Sequence, residues 1–119
     1  MAYLDAFVVP VPLARKDDYF AMARTFAEKA KALGAISGHE GWGDGLHPGE
    51  TTSFPRAVGA KDNENVVFAY IVWPDKETRD KAWDAIMADP DMQPVGDMPF
   101  DGKRMFWGGF VPEVTYGEM

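Results

Sequence analysis

Hydrophobic positions follow two different periods along the first part of the chain. Residues 3–11 are almost continuously apolar and rich in β-branched and aromatic side chains, and prolines close the segment, which predicts a strand. Between Lys16 and Leu33 the apolar residues recur at spacings of three and four, which predicts a helix with one buried stripe. That stripe consists of Tyr19, Met22, Ala23, Phe26, Ala27, Ala30 and Leu33. Gly34 follows directly, where helices commonly end in the left-handed conformation.

The rest of the chain repeats this alternation of strand and helix. Asp75 is expected to cap the N-terminus of a second helix, and Asp89-Pro90 ends it. Further strands are predicted over 36–43, 54–60, 66–73 and 103–114, with a long loop over 44–53 and a hairpin turn over 61–65. The predicted order, βαβ(β)βαβ, is typical of an α+β sandwich with both helices on one face of an antiparallel sheet.

The strand predicted over 66–73 is apolar on both of its faces. Val66, Phe68, Tyr70 and Val72 alternate with Val67, Ala69, Ile71 and Trp73. Two helices cover only one face of a sheet, so the other face, called the open face below, must meet a second subunit or enclose a ligand. We therefore expect a homodimer that closes over the open face.

Composition limits the classes of protein to consider. With 119 residues, 46% hydrophobic and 26% charged, residues 1–119 suit one domain with a single core. The absence of cysteine excludes thiol nucleophiles, thiolate metal sites and disulfides. The net charge of −7 argues against a nucleic-acid partner, because phosphate binding needs a basic face. The nearly apolar run 6–14 is too short to span a bilayer, so we expect a cytoplasmic protein without a membrane partner.

The acidic excess lies entirely in the second half of the chain. Residues 1–61 carry seven acids and seven bases, so the whole excess falls within 62–119. We favour a solvated helix face as its explanation, and a docking surface for a basic partner is the alternative.

Several motifs resemble the YbaA-like family of bacterial proteins, a domain of unknown function. They are the opening segment Tyr3–Pro12, the pentapeptide Glu40-Gly41-Trp42-Gly43-Asp44 and the run Met98–Phe110, with Val67-Phe68 and Trp73-Pro74 between them. The resemblance extends over essentially the whole chain. It implies membership of the dimeric α/β-barrel superfamily, whose ferredoxin-like subunits pair through their open faces. The full expectation is a ferredoxin-like βαββαβ sandwich with an extra strand, pairing as a dimeric α/β barrel.

The resemblance does not indicate which reaction, if any, the protein catalyses. The YbaA-like family brings no established catalytic residues, and the superfamily contains cofactor-independent monooxygenases, isomerases, haem enzymes and small-molecule sensors. This chain departs from the family's usual pattern at His39 and Gly41, where we expect an apolar residue and a cysteine. Any thiol chemistry of relatives is therefore absent from this chain.

Acidic side chains on apolar strands are the first candidates for chemistry, because burying them costs free energy unless they are paired or used. Asp5 shares a strand face with Tyr3 and Phe7. It can act as an acid or base, or it can pair with Arg104 or Lys103 on a neighbouring strand, and we favour the structural pairing.

Glu40 is the second acidic candidate. Alternation puts Glu40 and Trp42 on one face and His39 on the other. A carboxylate beside an indole in a cavity suits proton transfer, and a salt bridge at the dimer interface is an equal alternative. Together with Asp5 and Arg104, Glu40 makes up the predicted catalytic set, expected near the open face.

A pocket for a flat apolar molecule is expected beside the last strand, where Gly108-Gly109 indicates a bulge or a close approach. The predicted ligand-binding residues are His39, Trp42, Tyr70, Trp73, Phe100, Lys103 and Trp107. Phe100 is expected to plug the barrel mouth, and the neighbouring basic residues to bind a ligand carboxylate. No cofactor and no metal are expected, since the histidines and carboxylates match no ligand spacing.

Two hypotheses of different classes follow. The first is an enzyme that transforms a small aromatic molecule without a cofactor, as an oxygenase or isomerase. The second is a non-catalytic dimeric binding or stress-associated module that holds a ligand and releases it unchanged. We lean toward small-molecule binding and leave catalysis open.

Overall fold

The computed structural model of the chain describes residues 1–93 and 96–117 and gives a ferredoxin-like βαββαβ sandwich. Its strands are β1 (Tyr3–Pro12), β2 (Ser37–Trp42), β3 (Glu64–Trp73) and β4 (Phe106–Phe110), and its helices are α1 (Lys16–Ala32), α2 (Phe54–Ala57) and α3 (Lys76–Ala88). The strands form one antiparallel sheet in the order β2-β3-β1-β4. The predicted α+β class and ferredoxin-like order are confirmed.

Helix α1 ends, and helix α3 begins, where the sequence predicts. Gly34 follows α1 with a φ of 111°, in the left-handed region that suits glycine. The carboxylate of Asp75 accepts a hydrogen bond of 2.7 Å from the backbone N–H of Thr78, so it caps α3. In α3, Ala82 and Ile86 are buried, and Met87 is 71% exposed.

The extra strand predicted over 54–60 is wrong. This segment contains the short helix α2, whose N-cap is Ser53, with the Ser53 side chain accepting from the backbone N–H of Arg56. Pro55 stands at the start of the helix, where its missing N–H costs nothing. The predicted hairpin over 61–65 therefore joins a helix to β3. The last strand is also shorter than the predicted 103–114, because a turn over 101–104 precedes β4.

The helix side of the sheet carries the larger core. The register aligns Asp5 with Ile71 and Val9 with Val67, so the odd-numbered residues of β1 and β3 face α1 and α3. Two buried clusters result, with further apolar side chains packed around them. They consist of Val9, Val11, Tyr19, Ala23 and Val67, and of Ala30, Ile71, Trp73 and Ala82.

The open face is covered only at one end. It is formed by the even-numbered residues of β1 and β3 and their partners on β2 and β4. The segment containing α2 folds over it and packs Val58, 2% exposed, against Val8 and Val66. Phe68 and Phe110 remain 43% and 57% exposed on this face. Part of the open face therefore has a cover within its own chain, which the sequence argument did not anticipate.

Within the described part of the chain, no helix is both long and apolar enough to cross a bilayer.

Candidate functional site

A groove of about 1160 Å³ lies on the helix side of the sheet, and we call it the helix-side groove. Its lining includes Phe26 and Ala27 from α1, Glu40 from β2, Trp83 from α3, and Phe100 and Met105 from the segment before β4. Phe26 and Trp83 belong to the stripes that α1 and α3 turn toward the sheet, whereas Ala27 is exposed on α1. The groove is large enough for a drug-sized molecule.

A hydrogen-bonded pair of acidic groups stands at this groove. The Tyr19 hydroxyl, on the buried stripe of α1, donates a hydrogen bond of 2.8 Å to Oε1 of Glu40. Both residues line the helix-side groove. Among the described residues, the second oxygen of Glu40 accepts no hydrogen bond from the protein. The pair thus offers one free carboxylate oxygen to a molecule in the groove.

The surroundings shift both pKa values upward. Glu40 is exposed as a whole residue at the edge of the sheet, but its carboxyl lies against α1, and this burial raises the pKa of Glu40 although the bond from Tyr19 lowers it. Burial, followed by the charge of Glu40, raises the pKa of the Tyr19 phenol. A raised pKa makes a carboxyl group a better proton acceptor than an ordinary glutamate, which suits it to proton exchange with a bound molecule.

Trp42 lies on the same face of β2 as Glu40, as predicted. Its ring packs edge-on against Phe20, with centroids 6.0 Å apart, and the ammonium of Lys16 lies 5.0 Å from the ring centroid. The ring of Trp42 is therefore held by residues of α1, and Trp42 also belongs to the lining of a smaller groove at this edge of the sheet.

His39 and Tyr70 are the predicted ligand-binding residues that do lie on the open face. Their rings stack with centroids 5.1 Å apart and planes 12° from parallel. Beside them is a second, smaller groove of about 330 Å³, lined also by Gly41, Phe54 and Phe68. We call it the open-face groove.

Asp5 lies on the helix side and not on the open face, which corrects our expectation of where the acids cluster. It is 0% exposed, and both indole N–H groups of Trp73 and Trp83 donate to its Oδ2 at 2.9 Å. The guanidinium of Arg79 on α3 donates to both carboxylate oxygens, at 2.8 and 3.1 Å. The expected structural pairing exists, but the partner is Arg79 rather than Arg104 or Lys103. The groups that donate hydrogen bonds to Asp5 come from β3 and α3. Asp5 therefore has a structural role.

Arg104 belongs to a separate ionic cluster. It donates to Glu64 at the start of β3 at 2.6 and 2.8 Å and to Asp101 at 2.7 Å. It also donates to the backbone carbonyl of Gly59 at 2.9 Å. Arg104 lowers the pKa of Glu64 to about 2. These contacts tie three chain segments together, and the structure does not bring Arg104, Asp5 and Glu40 into one site.

The remaining predicted ligand-binding residues are scattered. Trp73 is fully buried in the helix-side core, and Phe100 packs edge-on against Tyr19 with centroids 5.9 Å apart. Trp107 is 63% exposed on the helix side of the edge strand β4, and Lys103 is exposed in the preceding turn. The expected close approach at Gly109 is present, because a side chain there would collide with the ring of Tyr3. Among these residues only Phe100 lines the helix-side groove.

No group of three or more histidine, aspartate or glutamate side chains in the described ranges is placed to hold a metal ion.

Tyr19 is the site residue that the sequence did not reveal. Its position on the stripe of α1 predicts a core side chain, and it is indeed only 5% exposed. The Tyr19 hydroxyl could have indicated the site, because a buried tyrosine needs a hydrogen-bond partner. Glu40, on the face of β2 that α1 covers, is the acid that provides it.

Comparisons with known proteins agree on the fold and on a family. Residues 2–102 match the family described as "Protein of unknown function (DUF1428)". The chain is 48% identical over 111 residues to the "Uncharacterized protein YbaA" of Escherichia coli strain K12, covering 92% of this chain and 95% of that protein, and equally to the YbaA of Shigella flexneri.

Solved structures resemble the chain at low identity. The de novo designed protein Foldit4 aligns with a TM-score of 0.51 and 12% identity, over 95% of this chain and all of that one. SnoaB, a cofactor-independent oxygenase from Streptomyces nogalater, aligns with a TM-score of 0.44 and 17% identity, over 98% of this chain and 96% of that one. The first likeness supports the fold alone, and the second carries no argument about activity. By its match over residues 2–102 and its identity to the YbaA proteins, the chain belongs to the DUF1428 family.

Proposed function

We propose that this protein binds a small, flat and mainly apolar molecule in the helix-side groove, with Glu40 as its polar contact. The observation that carries the proposal is the Tyr19–Glu40 pair, because it leaves a carboxylate oxygen free beside an apolar groove. A largely apolar site with a few placed polar groups, here including Glu40, is the usual composition of a small-molecule pocket. The proposal moves the predicted site from the open face to the helix side.

A direct test uses 4-hydroxybiphenyl as the probe, since it combines flat rings with one hydroxyl donor. We expect saturable binding, seen as a change in the total tryptophan fluorescence, because Trp83 is one of the four tryptophans and lines the groove. Glu40→Gln should weaken binding by about 10- to 150-fold, because a hydrogen bond to a charged group contributes roughly 1.5–3 kcal/mol. Glu50→Gln, in the exposed loop, is the matched control and should bind like the wild type. Absence of binding, or equal binding by Glu40→Gln, contradicts the proposal.

The pH dependence of probe binding follows from the pKa of Glu40. That pKa is raised, so the ionised carboxylate that accepts the probe's hydroxyl is lost as the pH falls toward and below the raised value. Affinity should therefore decrease on acidification, beginning above the ordinary pKa of a glutamate. Glu40→Gln should bind with an affinity that does not change over the same range.

The same carboxylate supports a catalytic form of the function, an isomerase-type proton transfer. With 2-tetralone in deuterated water, Glu40 would take a proton from the carbon beside the carbonyl and leave an enolate. After exchange with solvent it would return a deuteron to that carbon, so one C–H bond becomes C–D without an oxidant. Deuterium incorporation that Glu40→Gln abolishes favours the enzyme, and binding without incorporation favours the non-catalytic binding module.

The proposal also includes a homodimer formed through the open face. Its support is the exposure of large apolar side chains there: Phe54, Phe68, Phe106 and Phe110 are each between 43% and 57% exposed. A wild-type monomer by light scattering would contradict it. We further propose that residues 1–119 act as one domain of a cytoplasmic protein, which remains a prediction from the sequence.

A further inference from the structure

We propose that the molecule held in the helix-side groove is a flat aromatic hydroxy acid, whose hydroxyl bonds Glu40 and whose carboxylate, at the opposite end, binds Arg24. The inference rests on the proposed function and adds the chemical class of the ligand. Both residues line the groove, Glu40 from β2 and Arg24 from α1. The ligand would therefore lie in the part of the groove between this strand and this helix.

A glycine on β2 leaves space beside the Glu40 carboxyl. Gly38 is the neighbouring position on the same strand face, about 7 Å along the strand, and it has no side chain to fill the distance to α1. Ala27 of α1 contributes only a methyl group to the lining. Ala69 and Ile71, which pair with Glu40 and Gly38 across the sheet, form the floor. We call this apolar space beside Glu40 the α1–β2 cleft.

Arg24 lies on the side of α1 that faces β2. Phe20 marks this side, because its ring packs against that of Trp42 on β2. Arg24 follows Phe20 by four residues, which places it on the same side one turn later. It comes five residues after Tyr19, the partner of Glu40, so roughly 7.5 Å of helix rise separates the two levels. A molecule whose hydroxyl meets Glu40 therefore has its far end near the level of Arg24.

Three cationic side chains line the groove in the described part of the chain, and two of them have acidic partners. Arg15 donates to the carboxylate of Asp18 at 3.0 Å, and the ammonium of Lys31 lies 3.9 Å from the carboxylate of Glu28. The third, Arg24, makes no hydrogen bond or ion pair with the described residues. An arginine binds a carboxylate through two parallel N–H···O bonds, so its guanidinium suits an acidic group on a ligand.

The opposite charges of the α1–β2 cleft are separated rather than paired. The pKa of Glu40 is raised by burial and lowered only by the hydrogen bond from Tyr19, so no cation neutralises this carboxylate. The cleft thus offers an acceptor at one level and a cation at another. A molecule with a hydroxyl donor at one end and a carboxylate at the other complements both groups. An acid placed beside the hydroxyl would instead be repelled by Glu40.

Two acids built on 4-hydroxybiphenyl test this arrangement by titration of the tryptophan fluorescence. 4′-Hydroxybiphenyl-4-carboxylate carries its acid at the end away from the hydroxyl. It should bind about three- to tenfold more tightly than 4-hydroxybiphenyl, because a bidentate ion pair adds affinity but is screened by solvent at an exposed arginine. Added salt should reduce this gain. 4-Hydroxybiphenyl-3-carboxylate carries its acid beside the hydroxyl and should bind more weakly than 4-hydroxybiphenyl, because its charge meets Glu40.

Arg24→Gln assigns the gain to one residue. In this variant 4′-hydroxybiphenyl-4-carboxylate and 4-hydroxybiphenyl should bind with equal affinity. Arg56→Gln, the matched control, removes the same charge from α2, outside the lining of the groove, and should keep the wild-type preference for the acid. Equal binding of the two probes by the wild type, or a gain that Arg24→Gln keeps, overturns the inference and leaves the proposed function standing. A wild type that binds neither probe overturns both.

Discussion

Asp5 shows how a single polar residue can organise a core. Its carboxylate accepts hydrogen bonds from two indoles and one guanidinium, so β1, β3 and α3 all meet at one buried charge. The sequence revealed the buried acid, and its structural role was the favoured alternative. The partner was misassigned because Arg79 comes from a helix, whereas strand alternation compares only residues on strands.

Asp5→Asn is expected to destabilise the fold by about 3–5 kcal/mol, because it leaves Arg79 without its buried counter-charge. Urea unfolding measures the effect. Asp80→Asn is the matched control, since Asp80 also bonds Arg79, at 3.0 Å, but is solvent-exposed and should change stability little. Equal effects of the two substitutions would contradict a structural role for the buried pair.

The ion pair of Glu64 and Arg104 should make stability depend on pH. Arg104 holds the pKa of Glu64 at about 2, below its ordinary 4.5, so the pair's stabilisation is complete above that ordinary value. It is lost as the pH falls from about 5 to 2, and it is of the order of 1–3 kcal/mol after allowance for solvent screening. Glu64→Gln should be less stable than the wild type at pH 7 and lose less stability over this window. The free energy of unfolding of both proteins is measured with urea at each pH. An equal change with pH in the two proteins would contradict the prediction.

The periodicity of apolar residues correctly predicted the long helices and most of the strands. The wrong prediction, a strand over 54–60, lies where helix capping determines the structure. Helix α1 and helix α3 were predicted from their stripes and caps, within a residue or two of their bounds. The segment 54–60 has a strand-like composition, but Ser53 and Pro55 start a helix there. Side-chain capping and proline geometry outweighed β-propensity, as expected for a short segment.

Gly34 offers a test of the junction between α1 and β2. Its φ of 111° is costly for other residues, and an added Cβ would press on the Thr78 methyl of α3. Gly34→Ala should therefore lower the thermal midpoint more than Gly45→Ala, where φ is 99° but the space is open. The backbone term alone is roughly 1–3 kcal/mol at each site. Equal shifts at both positions would mean that the contact with Thr78 adds nothing.

For the whole molecule, the sequence predicted a layer of helices on a sheet, but not which face of the sheet the helices cover. Alternation correctly paired Glu40 with Trp42 and opposed them to His39, yet it could not say which face the helices cover. That choice depends on the chain connections and on long-range register, which no local pattern encodes. Consequently the predicted catalytic set was divided between the helix-side core (Asp5), the helix-side groove (Glu40) and the ionic cluster of Arg104 with Glu64 and Asp101.

The central claim is that the helix-side groove holds a small molecule, and native mass spectrometry with added 4-hydroxybiphenyl tests it most directly. Ala27→Trp serves as the obstructed variant, because Ala27 is exposed and lines the groove, so a large ring there narrows the groove without entering the core. We predict one probe per chain on the wild type and a lower occupancy on Ala27→Trp. A wild type without probe, or equal occupancy of the two proteins, would contradict the claim.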